Sequence, residues 1–227
     1  SVGKHYKMKR AILVTALLIV NLTLLGQIDE TYFLLGAQRD YLGRTFFKNH
    51  PTLSDLVLQI HEDNSGEIKR IEEITGLKFY RNEPQNECIN CKEFFELRSA
   101  QILKKLSSFY SIKRWSVDDL GNRLDKGRIK CKKILSSTKN QKMSFLAGQF
   151  LISGSIADNS YKISLSNSPI RFECLCEILK ELDCSIITKE FHYRIPNVHN
   201  VFFLPSDGVK ELLDNEIEKR NTLAIKT

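Results

Sequence analysis

A short pattern occurs twice in this 227-residue chain and constrains its fold more than any other feature. Residues 24–27 (LLGQ) and 146–149 (LAGQ) each place an apolar pair before Gly-Gln, and the copies start 122 residues apart (146 minus 24). Each copy follows a segment typical of a buried helix and precedes one typical of a strand. An internal repeat of this kind predicts two halves that fold alike.

The segments that follow the two copies have the same order of predicted elements. After the first copy we predict strands at 32–40 and 53–62, a helix at 66–77, strands at 78–81 and 87–95, and a closing helix at 98–110. After the second we predict a short hairpin at 154–165, a helix at 169–184, strands at 185–193 and 199–204, and a closing helix at 207–220. Both halves therefore have the order α-β-β-α-β-β-α, which is an α+β fold class with two pseudo-symmetric repeats.

Basic residues are concentrated in two segments. Residues 113–142 contain ten cations and three anions, so their net charge of +7 equals that of the whole chain. The first ten residues contain four more cations. Concentrated basic charge is typical of proteins that bind a polyanion, and we favour nucleic acid over a merely solvated loop. The chain then divides into a basic N-terminal extension (1–10), a first repeat (11–112), a basic connector (113–141) and a second repeat (142–227).

An apolar run at residues 11–25 is compatible with three structures. A signal peptide would require a small-residue cleavage site, and none follows convincingly. A membrane span requires about 20 apolar residues, whereas this run is shorter and is interrupted by Asn21 and Thr23. A helix buried on all sides fits the length best. We therefore expect a core helix here and a protein that is not bound to a membrane.

The six cysteines predict neither a disulfide framework nor a metal site. A chain of this length does not need covalent staples, so we expect reduced and mostly packed thiols. Cys88 and Cys91 form a single C-x-x-C, and a structural zinc site needs a second pair of ligands at a suitable spacing. We expect no metal and no other cofactor.

The repeated pattern resembles the two motifs of a single-chain LAGLIDADG homing endonuclease. Residues 146–148 (LAG) with 154–156 (GSI) are similar to the second motif, and residues 24–29 (LLGQID) are similar to the first. The resemblance implies that two such helices pack side by side at the centre of a monomer with internal pseudo-twofold symmetry. Gly26, Ala147 and Gly148 would let their backbones approach closely. Saddle-shaped antiparallel sheets would then cover a nucleic-acid duplex.

The same resemblance implies where catalytic carboxylates would lie. In active members each motif helix ends in an acid, and the two acids hold divalent cations against the scissile phosphates. Counting along the repeats, these positions are Thr31 and Ser153, and neither is acidic. A hydroxyl is a poor ligand for a hard cation beside a carboxylate. A shift of one residue would place Glu30 in one half only, so we predict that no catalytic residue remains.

The two-repeat architecture and the basic charge are retained, whereas the catalytic acids are absent. We therefore predict a domesticated, non-catalytic protein that binds structured RNA. RNA duplexes are recognised through shape and backbone more than through base edges. We favour a subunit of an organellar ribosome in the mitochondrial matrix, with rRNA and ribosomal proteins as partners and no small-molecule substrate. An intron maturase, an active site-specific DNA homing endonuclease, a DNA-binding regulator and a membrane-anchored protein remain alternatives. The segment between motif and next helix has 33 residues in the first half (33–65) but 14 in the second (155–168), which argues against a long DNA footprint.

Candidate nucleic-acid contacts follow from charge and position. In the connector they are Lys113, Arg114, Arg123, Lys126, Arg128, Lys130, Lys132 and Lys133, and on the predicted sheets they are Lys78, Arg81, Lys162, Lys189 and Arg194. Trp115 follows Lys113-Arg114, and we expect it to be packed rather than stacked on a base, since most tryptophans are largely buried.

Overall fold

The computed structural model describes residues 28–39, 44–47, 53–82, 94–117, 121, 123–157, 159–193 and 195–225. The predicted core helix at 11–25, the C-x-x-C at 88–91 and Gly26 lie outside the described residues. Within the described part of the chain, none of the helices has the length and apolar character that crossing a bilayer requires. The four cysteines in this part are free thiols.

The described elements follow one another in an order close to the predicted one. The helices are α1 (Glu30–Ala37), α2 (Ser65–Thr75), α3 (Ala100–Ser107), α4 (Cys131–Leu135), α5 (Lys139–Ser153), α6 (Pro169–Glu181) and α7 (Asp207–Ile225). The strands are β1 (Arg44–Phe47), β2 (Leu56–His61), β3 (Phe79–Asn82), β4 (Phe94–Arg98), β5 (Tyr110–Val117), β6 (Arg123–Ile129), β7 (Gly154–Ala157), β8 (Ser160–Ser166), β9 (Ser185–His192) and β10 (Val198–Leu204).

The described strands form antiparallel sheets, and two of these sheets reveal the internal repeat. The second half has the order β7-β8-β10-β9, and the first half has β2-β4-β3, which is the same order without its first strand. That strand, β1, pairs instead with β6 in a sheet of order β1-β6-β5. The predicted α+β class with antiparallel sheets is confirmed, and the second half has every predicted element.

The strand predicted at 32–40 is wrong, because residues 30–37 form helix α1. Tyr32 to Ala37 are all buried, so the run is apolar at every position and shows neither a helical nor a strand period. Asp29 caps the helix, because its side-chain Oδ1 accepts a hydrogen bond from the Tyr32 amide at 3.1 Å. An N-cap aspartate followed by an unbroken apolar run therefore specifies a core helix at this position.

The segment predicted as a basic connector contains the β5–β6 hairpin, helix α4 and the start of α5. Asp125, Gly127 and Ile129 alternate along one face of β6 and are buried. Gly127 is required by packing, because a Cβ there would lie 2.6 Å from the Phe46 ring. Lys126 and Arg128 lie between these buried residues, on the other face of the strand. Buried and basic residues therefore alternate along β6 with the period of two that is typical of a strand.

The two halves share one hydrophobic core, and α7 joins them at its edge. This helix of the second half packs against α2 of the first, where a Cβ on Gly66 would lie 2.4 Å from the Arg220 carbonyl oxygen. Arg70 of α2 forms a bidentate ion pair with Glu216 of α7, at 2.8 Å from Nε and 2.7 Å from Nη2. Glu216 is 1% exposed, so this pair is a buried tie between the halves.

Candidate nucleic-acid interface

Helices α1 and α5 pack side by side at the centre of the molecule, and two glycines set how closely they approach. A Cβ on Gly36 would lie 2.0 Å from the Phe145 carbonyl oxygen, and one on Gly148 would lie 2.0 Å from the Phe33 carbonyl oxygen. The two contacts are equivalent under a shift of 112 residues (148 minus 36, and 145 minus 33). The helix pair is therefore pseudo-symmetric about these contacts.

The glycine that matches Gly148 is thus Gly36 in residues 34–36 (LLG), not Gly26 in residues 24–26. The sequence contains the same three letters twice, ten residues apart, and the pattern alone does not distinguish the two copies. With the corrected register, Thr31 lies in the first turn of α1, at the end opposite to the expected acid position. Ser153 remains the last residue of α5, as predicted.

The C-terminal ends of the two helices differ in length. Ser153 corresponds to position 41 in the first half (153 minus 112), which is Tyr41 and lies outside the described residues. Helix α1 already ends at Ala37, and Gln38 has an extended backbone with φ −63° and ψ 136°. Residues 38 and 39, which correspond to Phe150 and Leu151 of helix α5, are therefore not helical.

Few acids lie near these helix ends. Residues 149–157 contain neither Asp nor Glu, and the Ser153 hydroxyl accepts a hydrogen bond from Gln149 Nε2 at 3.3 Å. In the first half, residues 38–43 contain one acid, Asp40, which lies outside the described residues. Within the described ranges, no group of three or more His, Cys, Asp or Glu side chains is placed to hold a metal ion.

A buried guanidinium occupies the C-terminal end of α1. Arg171 of α6 is 1% exposed, and its Nη1 donates to the carbonyl oxygens of Leu35 at 2.9 Å and Gly36 at 3.3 Å. The same nitrogen reaches Gln149 Oε1 at 3.1 Å, and Nη2 reaches the Tyr110 hydroxyl at 3.1 Å. The last carbonyls of a helix lack partners within the helix and carry partial negative charge, so a cation stabilises them. Sequence reasoning missed Arg171, although an arginine inside an apolar helical pattern was a usable signal.

Two further side chains fasten the chain after α1 to strand β2. Gln38 Nε2 and Arg44 Nη2 both donate to the Val57 carbonyl oxygen, at 3.0 Å and 2.7 Å. Arg44 Nη2 also donates to the Leu56 carbonyl oxygen at 3.0 Å. These contacts hold β1 beside β2 although the two strands do not pair. The polar groups at this end of α1 thus serve the packing of the protein itself.

Exposed lysines of helix α3 and of the predicted connector lie around the end of α3. We call this surface the basic corner; its members are exposed lysines in the last turn of α3 and in or next to α4, namely Lys104, Lys105, Lys130, Lys132 and Lys133. The ammonium groups of Lys130 and Lys133 lie 3.1 Å and 3.4 Å from the Ser108 carbonyl oxygen. Lys133 also lies 4.1 Å above the Phe109 ring. The negative end of α3 therefore gathers cations.

The β5–β6 hairpin extends this basic surface on one of its faces. Lys126 and Arg128 lie on the face opposite to buried Asp125 and Gly127, and Arg114 is the register partner of Lys126. Lys126 donates to the Thr45 hydroxyl of β1. The side chains of Lys113 and Arg114 lie outside the described set. Lys126 and Arg128 lie on β6, which leads in the chain to Lys130, Lys132 and Lys133 of the basic corner.

The other face of the hairpin carries the single tryptophan of the chain. Trp115 is 66% exposed, so the prediction that it is packed is wrong. Arg123 lies 5.7 Å from the centre of its ring and forms an ion pair with Asp125 at 2.6 Å. Tyr110, on the same edge strand β5, is 3% exposed and packs against Phe46, so burial along this strand is confined to its first end.

The cations predicted on the sheets do not form one basic saddle. Lys162 lies on the outer face of β8 and approaches the Phe202 ring at 5.3 Å. Lys189 lies on the helix-facing side of β9, opposite Val201 in register and hydrogen-bonded with Cys176. Arg81 likewise pairs with Phe95 on the helix-facing side of its sheet, and Lys78 is bound to Glu72 at 3.0 Å. Arg194 lies outside the described residues.

The outer face of the second-half sheet is close to neutral. In register, its described positions include one lysine, Lys162, and one carboxylate, Glu190, among serine, asparagine, valine and phenylalanine side chains. The phosphates of a duplex require a line of cations. The described cations instead concentrate at the basic corner and the adjoining hairpin face.

Comparison with known proteins gives a likeness of fold. No protein-family model matches the sequence, and no curated protein matches it. Mesophilic variants of the homing endonuclease I-DmoI have a TM-score of 0.47 and 11% sequence identity, over 80% of this chain and 85% of that chain. The chain is similar to a LAGLIDADG homing endonuclease. A complex of I-DmoI with DNA and Mn has a TM-score of 0.38 and 11% identity, over 86% of this chain and 96% of that chain.

Proposed function

We propose that this protein is a catalytically inactive, homing-endonuclease-like protein that binds structured RNA. The observation that carries the proposal is the basic corner with the adjoining hairpin face. Among the described residues between 99 and 142, the only acid is Asp125, which is buried and bound to Arg123. Exposed cations without acids between them are what a phosphate backbone binds. Acids of the neighbouring α6 do lie beside Cys131, and Glu181 there is bound to Lys142 at 2.7 Å.

We infer the loss of catalysis from the residues at the C-terminal ends of helices α1 and α5. Metal-assisted phosphodiester cleavage by two metal ions needs acidic ligands from both halves. The second half offers Ser153 with no Asp or Glu between 149 and 157, so at most one half supplies a carboxylate. Helix α1 ends at Ala37, before the position that would match Ser153. An active homing endonuclease is therefore not the function that these residues support.

The location of the cations favours RNA over a long DNA duplex. The outer face of the second-half sheet carries Lys162 as its one described lysine, and strand β7 is four residues long. A protein that reads DNA over many base pairs needs phosphate contacts along the whole groove. A compact basic corner instead suits the irregular backbone of a folded RNA, which proteins recognise largely by shape.

Within this function we favour a built-in subunit of a mitochondrial ribosome over an intron maturase. The buried Arg70–Glu216 pair and the close Gly36 and Gly148 contacts tie both halves into one rigid unit. A structural role in a ribonucleoprotein requires such a unit and no reacting group. Sedimentation of the native protein through sucrose at moderate and high salt, with RNA sequencing of each fraction, separates the two roles. Co-migration with a ribosomal subunit at high salt is expected, whereas a light fraction carrying one intron would identify a maturase.

Binding and cleavage are tested together on purified protein. We expect fluorescence anisotropy to show binding to a labelled stem-loop RNA and weaker binding to a DNA duplex of the same stem sequence. Incubation of a randomised DNA library with the protein and Mg²⁺ should yield no cut molecules above the protein-free control. Magnesium-dependent cutting, or a preference for the DNA duplex, would contradict the proposal.

A further inference from the structure

The β5–β6 hairpin presents an exposed apolar strip that the packing of the described residues does not use. Ile112, Trp115 and Val117 lie along the edge strand β5 and are 48%, 66% and 59% exposed. The buried end of the same strand, Tyr110, packs edge-on against Phe46 at 5.4 Å between ring centres. The strip therefore begins at the core and runs outward along a sheet edge. Exposed apolar side chains grouped in this way mark an interaction surface.

The described charged side chains around the strip are mainly cationic, and Asp118 and Asp119, which follow Val117, lie outside the described residues. Lys126 and Arg128 lie on the opposite face of the two-stranded hairpin, and Arg123 lies beside Trp115 on the strip's own face. The only acid on the described part of β6, Asp125, is 5% exposed and bound to Arg123. A second copy of this chain would bring cations against cations here. A polyanion with flat apolar groups, which is what RNA with unpaired bases offers, matches both the charge and the strip.

The Trp115 ring is held in a fixed arrangement. Asp125 accepts a hydrogen bond from Arg123 Nε at 2.6 Å, and this bond places the guanidinium 5.7 Å from the ring centre. A cation over an indole face is attracted to its π electrons, so Arg123 restrains the ring. The ring keeps 66% of the residue's surface exposed, which leaves room for a planar group to stack. Nucleobases stack on such aromatic side chains in proteins that bind unpaired strands.

We propose that Trp115 is a stacking platform for an unpaired base of a bound RNA, with Arg123 beside the ring. This inference rests on the proposed RNA-binding function, and it adds that the recognised RNA presents an unpaired base beside a duplex. The hairpin lies outside the repeated α-β-β-α-β-β-α order, so the contact is additional to the sheets of the two repeats.

The single tryptophan makes the test direct, because all indole emission comes from Trp115. The probes are a stem-loop RNA with an all-adenine loop and a blunt RNA duplex made from the same stem. The stem-loop should quench the emission of the wild-type protein, and the blunt duplex should leave it nearly unchanged. By anisotropy with labelled RNA, Trp115→Ala should weaken binding of the stem-loop by about 5- to 150-fold, from about 1–3 kcal/mol per stacked base.

Controls distinguish this proposal from the function on which it rests. Trp115→Phe keeps an aromatic face and should bind the stem-loop within about threefold of wild type, since stacking tolerates any aromatic ring. Trp115→Ala should keep the wild-type affinity for the blunt duplex and the wild-type thermal midpoint, because the side chain is exposed.

If both RNAs bind and Trp115→Ala changes neither affinity, stacking is overturned and RNA binding stands. If neither RNA binds wild type, the proposed function fails too. A change in emission with protein concentration alone would assign the strip to a second copy and overturn stacking.

Discussion

At the scale of single residues, Gly36 and Gly148 decide how the central helices pack. The sequence pattern located Gly148 correctly but matched it to Gly26 rather than to Gly36. Three identical letters occur in both places, and only the reciprocal approach to Phe145 and Phe33 distinguishes them. No local propensity contains this information, because the contact joins residues that are more than a hundred positions apart. With Gly36 as the match, the first-half position that corresponds to Ser153 is Tyr41 rather than Thr31.

Substitution of Gly148 tests this packing. A Cβ at Gly148 would lie 2.0 Å from a backbone oxygen, so Gly148→Ala forces the helices apart and should lower the free energy of unfolding by at least about 2 kcal/mol. Gly208→Ala is the matched control, because Gly208 is also in a helix and a Cβ there meets nothing within 4 Å. That variant should stay within about 1 kcal/mol of wild type. Urea unfolding measures both, and equal values for the two variants would rule out the close helix contact.

Tyr161 predicts a dependence of stability on pH. Burial of the phenol, together with its hydrogen bond to the Asp214 carboxylate, raises the pKa of Tyr161 to about 12 from 10.0. The folded protein thus favours the neutral phenol, so this stabilisation is fully present below pH 10 and is lost as pH rises from 10 to 12. Tyr161→Phe removes this loss. The free-energy difference between wild type and Tyr161→Phe should shrink by about 1–3 kcal/mol over that interval, and a constant difference would contradict the assignment.

At the scale of elements, the second half and most of the first could be predicted, whereas helix α1 and the β5–β6 hairpin could not. Pro169 at the start of α6 and the Asn159 turn with φ 63° are local signals that fix boundaries without tertiary help. Helix α1 is apolar on all sides, so its sequence has no period to read. Hairpin β5–β6 carries cations on alternate positions, and its partner strand β1 lies far away in sequence. Arg171 was missed because its partners belong to the other half.

The tie between α2 and α7 gives a prediction at this scale. Glu216→Gln leaves the buried Arg70 guanidinium without its carboxylate partner in α7 and should lower the free energy of unfolding by about 3–5 kcal/mol. Glu177→Gln breaks an exposed pair with Lys180 at 2.7 Å and should leave stability nearly unchanged. Thermal or urea unfolding of both variants provides the comparison. A small effect of Glu216→Gln would mean that the two halves hold together without this pair.

At the scale of the whole molecule, the sequence predicts how much basic charge the chain carries but not where the folded protein places it. The excess of cations in residues 113–142 was visible in the sequence, but their arrangement was not. The predicted basic saddle is replaced by the basic corner around Ser108 and one hairpin face, because strand register sends Lys189 and Arg81 to the helix-facing sides of their sheets. Trp115 is likewise on the surface, toward the end of β5 that lies away from buried Tyr110.

The salt dependence of RNA binding tests the central claim most directly. The logarithm of the affinity for a labelled stem-loop RNA should fall linearly with the logarithm of salt concentration. Lys130→Gln, Lys132→Gln and Lys133→Gln combined should weaken binding and reduce the slope by about two, since each lost phosphate contact removes about 0.7–0.9. Lys69→Gln, Lys210→Gln and Lys219→Gln combined change the net charge equally on helices α2 and α7 and should keep the wild-type slope. Equal slopes for both triple variants, or no RNA binding by wild type, would contradict the basic corner as an RNA-binding surface.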